Sequence, residues 1–347
     1  MSQLPSRSLD YFGLSARLIA NAGLGVLDSL SPVHGGGNNR VLLATAADGM
    51  RFLVKAYFRS QADKRNRFHH EKSFYDLALK ESLQCVPKVL GWNESARLGL
   101  FEFLEGQKLT APEIGTEAVA ACARFFFRIN TTKKTVPEQF LPKASEACFS
   151  IADHTALIQG RVDRLAAALS DPAMDPEVAQ WISSVLLPKW AHIRTSLDGG
   201  HASKGDSHAS LPKALWCISP SDFGFHNAFQ TKRGLVFFDF EYAGWDDPAK
   251  MACDFFCQPE LPAPSSEFEA FLNATRLPEW DPETYMRRVR LLLPAYRIKW
   301  ACIILNVFIS TQVARRQFAD PSLTLPEAKQ RQWVKARQQM ALLDAAF

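Results

Sequence analysis

The segment ISPSDFGFHNAFQTKRGLVFFDFEYAGWDDP, residues 218–248, is where the reading of this chain turns. Asp222 and Asn227 stand five residues apart in a polar stretch, and Asp239 closes the apolar run GLVFFDF, whose composition is that of a strand. Two carboxylates and an amide are hard oxygen donors, of the kind magnesium takes in preference to Cys or His. Phosphoryl transfer to a hydroxyl asks for such a set: one carboxylate to accept the hydroxyl proton, an amide oxygen and a second carboxylate to hold metal against nucleotide phosphates. Read alone, the segment is equally a polar loop with two scattered acids. The flanking sequence has to choose between the two.

Upstream, the hydrophobic period is strand-like over 24–58 and 86–105, and after 110 it is mostly helical, with a strand-rich island at 214–242. GVLDSLSPV, RVLLATA and MRFLVKAYF read as three strands, the last two joined by a turn at Ala47-Asp48-Gly49. Residues 62–82 carry Phe68, Phe74, Leu77 and Leu79 among charges and read as an amphipathic helix. VPKVLGW and LGLFEFLEG form a second strand pair that ends at Gly106. Helices are expected at 113–130, 153–170, 175–197, 247–257, 283–314 and 326–345, several opened by Asp-Pro or Pro-Glu pairs. Residues 199–210, rich in Gly, Ser and His, are aperiodic and read as a loop.

Three features in the first part fit the same chemistry. Gly35, Gly36 and Gly37 lie between two strands, where missing side chains would let backbone N–H groups approach phosphate oxygens; a flexible hairpin turn has the same composition, and no Gly-Lys-Ser/Thr makes it a P-loop. Lys55 sits in the middle of an apolar strand, so it either reaches water or finds an anion. Glu71, sixteen residues on in the following helix, is its natural partner, and the pair would aim an ammonium group at phosphates. A solvated helix charge is the plainer account of a lone Glu.

Composition narrows the field. Forty Lys+Arg against thirty-six Asp+Glu, a net charge of +4 with no like-charge block, is too weak an imbalance to argue for nucleic acid, and none is expected as a partner. The start lacks a basic cluster followed by an apolar core, and the longest apolar stretch, near residues 300–309, is about half a membrane span; the expectation is a soluble, unexported, cytoplasmic protein. Seven cysteines, an odd number set among apolar neighbours, read as reduced core residues; Cys253 and Cys257 have helical spacing, but no second pair completes a zinc set.

With these residues assembled, the chain over roughly residues 25–258 resembles the aminoglycoside phosphotransferase and choline kinase group, relatives of the protein kinases. The Gly-Gly loop closing on Asn-Arg is similar to GGGNNRV, with Asn39 in the Asn position; the strand lysine is Lys55, the helix glutamate Glu71, and the hinge with its trailing Gly is LFEFLEG, 100–106. The catalytic His-Gly-Asp-x-x-x-x-Asn pattern is matched by Pro220 to Asn227 in its Asp and Asn, and the metal Asp-x-Glu by Asp239-Phe240-Glu241. The resemblance implies an α+β, protein-kinase-like two-lobe fold: residues 1–106 a small nucleotide-binding lobe with an antiparallel sheet, one helix and an N-terminal helix, residues 107–347 a larger, mainly helical lobe. It implies ATP and Mg2+ as cofactors, Asp222 as catalytic base, Asn227 and Asp239 as magnesium ligands, Lys55 as phosphate contact oriented by Glu71, and backbone groups near Glu102 and Leu104 on the adenine edge, with Phe101 at the back of the pocket.

The sequence departs from that pattern in two places. Pro220 and Ser221 replace the His and its neighbour before the catalytic Asp, so the loop needs another brace. After Asp246-Asp247-Pro248, Met251 stands where the family carries an Asp; Asp247 then reads as a helix cap and Asp254 as structural. His226 is read as a brace of the loop. The function expected is ATP-dependent phosphorylation of a small hydroxylated molecule (sugar, amino sugar or amino alcohol), with a nucleotide-binding pseudokinase as the alternative and a protein kinase disfavoured for want of an Ala-Pro-Glu ending. From 258 to 347 there are twelve Lys+Arg against nine Asp+Glu, a poor setting for a polycationic substrate. Trp280, Tyr285, Tyr296, Trp300 and Phe308 offer either an aromatic cage for a quaternary amine or core packing, and Arg287, Arg288 and Arg297 either an anionic substrate or a solvated face.

Overall fold

Alternation of small and large apolar residues builds the first sheet. The computed structural model describes residues 10–33, 39–58, 65–199, 208–311 and 324–343. Strands β1 (Leu27–Val33), β2 (Arg40–Ala46), β3 (Arg51–Ala56), β4 (Val89–Asn93) and β5 (Leu98–Glu102) form one antiparallel sheet in the order β1-β2-β3-β5-β4. Leu42, Ala44 and Ala46 of β2 and Phe52, Val54 and Ala56 of β3 turn to the same buried face, where they meet Leu18 and Ile19 of helix α1 (Tyr11–Asn21). The two-residue period then puts Lys55 on the opposite face. The β2–β3 hairpin closes through Gly49, whose φ of 87° suits a residue without Cβ, and the α1 N-terminus is capped by the Asp10 carboxylate accepting from Gly13 N–H at 2.9 Å.

The chain divides into two compact units, Met1–Phe68 with Val86–Glu105, and His69–Cys85 with Gly106–Phe347. The stretch His69–Cys85 therefore groups with the helical part rather than with the sheet that precedes it in sequence. The reason is aromatic packing: Phe74 of helix α2 (Arg67–Lys80) stacks on Phe240 with centroids 4.1 Å apart and lies 6.5 Å from Phe125. Gly106 likewise does not end a strand pair with β5. It starts β6 (Gly106–Lys108), which pairs with β8 (Ala228–Thr231); a Cβ there would come within 2.5 Å of the Gln230 carbonyl oxygen.

The second unit is mostly helical: α3 (Thr116–Asn130), α4 (Ile151–Ala167), α5 (Pro176–Trp181), α6 (Leu187–Gly199), α7 (Pro248–Cys257), α8 (Phe268–Thr275), α9 (Pro282–Leu305) and α10 (Leu325–Ala341). The helix expected at 175–197 is interrupted by a π turn, Ile182–Leu186, just ahead of Pro188, a residue that cannot donate to an α-helical ladder. Helix α8 was not expected from the sequence, because its eight residues are too few to show a period. Beside the helices, β7 (Cys217–Ser219) pairs with β10 (Gly244–Asp246), and β8 pairs with β9 (Gly234–Phe237). The helical stretch Pro282–Phe308 is, by length and composition, apolar enough to cross a membrane, although the run at 300–309 read alone is too short. Most of its apolar window, 72%, is buried inside the protein. Cys253 and Cys257 are fully buried on α7 and all seven cysteines are free thiols.

Candidate active site

The loop that carries Asp222 grows out of β7, and β7 is held from behind by one side chain. Asn130, buried at the end of α3, accepts from Ile218 N–H at 2.7 Å and donates to the Ile218 and Phe126 carbonyls at 3.0 and 2.9 Å. A single carboxamide thus ties the strand to the helix end. Past β7 the chain turns sharply: Ser221 adopts φ 68°, its N–H donates to the buried Ser219 hydroxyl at 3.1 Å, and Phe223 N–H returns to the Ser221 carbonyl at 2.8 Å. These bonds supply the brace that Pro220 cannot give.

Asp222 is then fixed from its C-terminal side. Asn227 Nδ2 donates to the Asp222 carbonyl oxygen at 2.9 Å, so the amide nitrogen is spent on the loop and the amide oxygen is the end left for a cation. His226 Nε2 lies 3.2 Å from Asp222 Oδ1, while His226 Nδ1 is buried with no hydrogen-bond partner among the described residues. With a carboxylate as acceptor, Nε2 carries the proton. Gly224 makes room for the ring, since a Cβ there would sit 3.0 Å from His226 Nδ1. The brace expected of His226 is thus a direct bond to the carboxylate.

The third residue comes in by strand register. Ala228 pairs with Phe237, so Asn227 faces Phe238, whose N–H donates to the Asn227 carbonyl at 3.0 Å; Asp239 leaves the hairpin one residue later. It does so at φ 69°. Ser221 and Asp239 are two of five non-glycine residues in the left-handed region among the described residues, a conformation that costs on the order of 1–3 kcal/mol and persists where surrounding bonds enforce it. Glu71, 1% exposed on α2, accepts from Phe240 N–H at 3.3 Å, one residue past Asp239. Sequence reasoning gave Glu71 a lysine as partner and missed this backbone contact, which no local pattern announces. Behind both loops, Phe125 stacks on Phe237 at 4.7 Å, and Phe223 packs against Phe237 and Phe255.

The structure therefore brings Asp222, Asn227, Asp239 and Glu71 together within the second unit. Lys55, Asn39, Glu102 and Leu104 belong to the first. Lys55 pairs across the sheet with Val41 and Gly99, its Nζ 5.2 Å from the Tyr57 ring. Asn39 Oδ1 accepts from Phe58 N–H at 3.2 Å and so pins the ends of β2 and β3. Glu102 N–H is bonded to the Lys88 carbonyl at 3.0 Å and its carboxylate to Lys88 N–H at 2.9 Å; Leu104 follows, buried. Gly35, Gly36 and Gly37 lie outside the described residues, as does most of the loop at 199–210.

Helix α7, which follows β10, is anchored by buried charge. Asp247 caps it, accepting from Ala249 N–H at 2.8 Å, and its second oxygen meets His154 Nε2 at 3.1 Å and Arg288 Nε at 2.7 Å. His154 Nδ1 in turn accepts from the Tyr296 hydroxyl at 2.7 Å. Burial works against the Asp247 carboxylate, but Arg288 and His154 overcome it and hold its pKa well below the usual range. Lys250 Nζ lies between Asp246 at 2.7 Å and Asp254 at 3.5 Å, and Asp254 also receives Lys299 at 2.7 Å and Trp300 Nε1 at 2.8 Å. Of the two readings open for the aromatic residues, core packing holds for Trp280, Tyr285, Tyr296 and Phe308, while Trp300 is half-buried; Arg288 and Arg297 hydrogen-bond to Asp247 and Gln339. Arg287 is exposed.

Two imidazoles in this unit are buried in the neutral form. Burial lowers the pKa of His154 and of His70, whose Nδ1–H donates to the Ala243 carbonyl at 2.8 Å. The unfolded chain binds these protons near pH 6.5 and the folded chain resists them, so stability is present above that pH and is lost as pH falls. Melting temperature is expected to drop between about pH 7.5 and about pH 5.5. A flat or rising profile would show that one of the rings is protonated in the fold.

A sequence profile of the phosphotransferase enzyme family matches residues 29–292. The chain belongs to that family. Compared by sequence with curated proteins, it finds no match. Among solved structures, a spectinomycin phosphotransferase in complex with ADP and spectinomycin superposes with a TM-score of 0.62 at 11% identity over 96% of this chain and 99% of the other. A choline/ethanolamine kinase family protein from Mesorhizobium loti gives 0.58 at 17% identity, covering 94% of each chain. Choline kinase from Cryptosporidium parvum gives 0.55 at 13% identity, over 91% of this chain and 89% of that one. At such identities these structures share the fold. The mixed α+β architecture, an antiparallel sheet followed by a mainly helical part, is thus that of the kinase-like phosphotransferases.

Proposed function

We propose that this phosphotransferase moves the γ-phosphate of ATP, with magnesium, to a hydroxyl of a small molecule such as a sugar, amino sugar or amino alcohol. The observation that carries the reading is the convergence of Asp222, Asn227 and Asp239 through the Asn227–Asp222 bond and the Phe238–Asn227 bond. Asp222 is the base: its carboxylate is 39% exposed, oriented by His226, and set to accept the proton of an incoming hydroxyl. The Asn227 amide oxygen and the Asp239 carboxylate are the donor types magnesium takes, and the ion when bound neutralises charge on the transferring phosphoryl group. Lys55 is assigned the phosphate contact, together with Gly35–Gly37 and Asn39, and the backbone at Glu102 and Leu104 the adenine edge. That a structural neighbour was solved with ADP supports the choice of nucleotide, and the choline kinase and spectinomycin phosphotransferase neighbours support a small acceptor.

The test is a thermal shift with ATP and magnesium, followed by turnover across sugars, amino alcohols and aminoglycosides. ATP at about 100 times its Kd stabilises by about 2.7 kcal/mol, and Asp239→Ala should lose most of the magnesium-dependent part of that shift. Undiminished magnesium-dependent stabilisation in the variant would remove Asp239 from the metal site. Nucleotide stabilisation without turnover on any acceptor would favour a regulatory module.

A further inference from the structure

The first sheet has two unlike faces. Leu42, Ala44, Val54, Leu98 and Leu100 belong to the core that α1 covers. The residues between them on β3 and β5 turn to the other side, and there the packing is aromatic. Tyr57 meets Phe68 edge to face with centroids 5.3 Å apart, Phe68 meets Trp92 at 5.5 Å, and Trp92 meets Phe101 at 5.5 Å, the ring planes crossing at 83°, 84° and 88°. Gly99 leaves the space for two of these rings, since a Cβ there would lie 2.6 Å from a Trp92 ring carbon and 2.7 Å from one of Phe101. Gly99 is also the residue that pairs with Lys55.

Lys55 thus stands beside a row of four rings. Its Nζ lies 5.2 Å from the Tyr57 ring centroid, within the distance at which a cation is drawn to the negative face of an aromatic ring. Tyr57 follows Lys55 by two residues and shares its face, although β3 ends at Ala56. Backbone bonds keep it there: Tyr57 N–H donates to the Arg97 carbonyl at 3.1 Å, which prolongs the ladder, and the next N–H, of Phe58, donates to Asn39 Oδ1 at 3.2 Å. The Tyr57 side chain is buried, so its ring turns away only by displacing Phe68. A ring also differs from a carboxylate as a neighbour of lysine. It restricts where the ammonium sits and carries no net charge to neutralise it.

We infer that Tyr57 is a positioning residue of the transfer reaction: its ring, backed by the row Phe68, Trp92 and Phe101, holds the Lys55 ammonium where the nucleotide phosphates arrive. The inference rests on the assignment of Lys55 as phosphate contact made under the proposed function. To that assignment it adds a group within the first unit that orients the lysine.

The experiment uses the full chain and follows binding of ATP with magnesium by calorimetry. Tyr57→Leu should weaken ATP about fivefold or more, while the affinity for adenosine, which has no phosphate, changes by less than about twofold. Tyr57→Phe, which restores the ring, should recover most of the loss. In a Lys55→Met background, Tyr57→Leu should cost nothing further. Should the leucine variant fail to fold, trifluorophenylalanine at position 57 keeps the shape and withdraws charge from the ring face, and it should weaken ATP relative to Tyr57→Phe. A loss equal for ATP and adenosine, or as large without Lys55, would overturn the inference, as would fluorination without effect. Wild-type ATP affinity in Tyr57→Leu while Lys55→Met is impaired overturns this inference alone; wild-type affinity in Lys55→Met overturns it together with the assignment of Lys55.

Discussion

Asp222→Asn is expected to lower phosphoryl transfer on the order of 10²–10⁴-fold while leaving the fold intact. The carboxamide has the shape of the carboxylate, and its oxygen can still accept from His226 Nε2, now 3.2 Å from Asp222 Oδ1. The Asn227 bond goes to the backbone carbonyl of residue 222 and survives the change. What is lost is the ability to take the proton of the acceptor hydroxyl. Nucleotide affinity, read by thermal shift, should change little, because Asp222 is assigned to the acceptor and Asn227 and Asp239 to the metal. Activity within about threefold of wild type would remove Asp222 from the role of base.

Lys250→Met should destabilise the protein by about 3–5 kcal/mol in urea unfolding at neutral pH, which for many domains is a large part of the total. Methionine keeps much of the volume, so the loss reports charge rather than a cavity. Lys250 is 2% exposed and serves two buried carboxylates, Asp246 and Asp254. Burial works against the ammonium form, yet those carboxylates outweigh it and raise its pKa above the ordinary lysine range. Without it, the Asp246 carboxylate is left at the end of β10 with Cys148 and Asp247 N–H as its remaining partners. Since β10 pairs with β7, which leads into Ser221 and Asp222, the damage should extend to activity. A cost below about 1 kcal/mol would mean that the two carboxylates are satisfied or neutral without the lysine.

Much of this was legible in the chain because it depends on local order. Strands β1 to β3, helix α2 and the helices after 110 other than α8 follow from period, and Asp222, Asn227 and Asp239 from their spacing around one apolar strand. The brace of the Asp222 loop was legible only in part: His226, four residues on, reads as one from the sequence. That Asn130 ties down the strand leading into the loop was not legible, since it stands 88 positions from Ile218. Aromatic residues at helical spacing behave the same way: Tyr296 and Trp300 look alike in sequence, yet Tyr296 is fully buried against His154 while Trp300 is half-buried and donates to Asp254.

The sequence by itself determined the class of fold, the order of most of its elements and the candidate set of oxygen donors, since period and spacing are properties of neighbouring residues. Tertiary structure alone decided where α2 belongs, that Gly106 opens a strand beside β8, that Glu71 reaches the backbone next to Asp239, and that Asp246, Asp247 and Asp254 sit in a buried charge network. Those outcomes hang on which distant surfaces bury one another, and burial is what turns a common Glu, Lys or His into a residue that must find one particular partner.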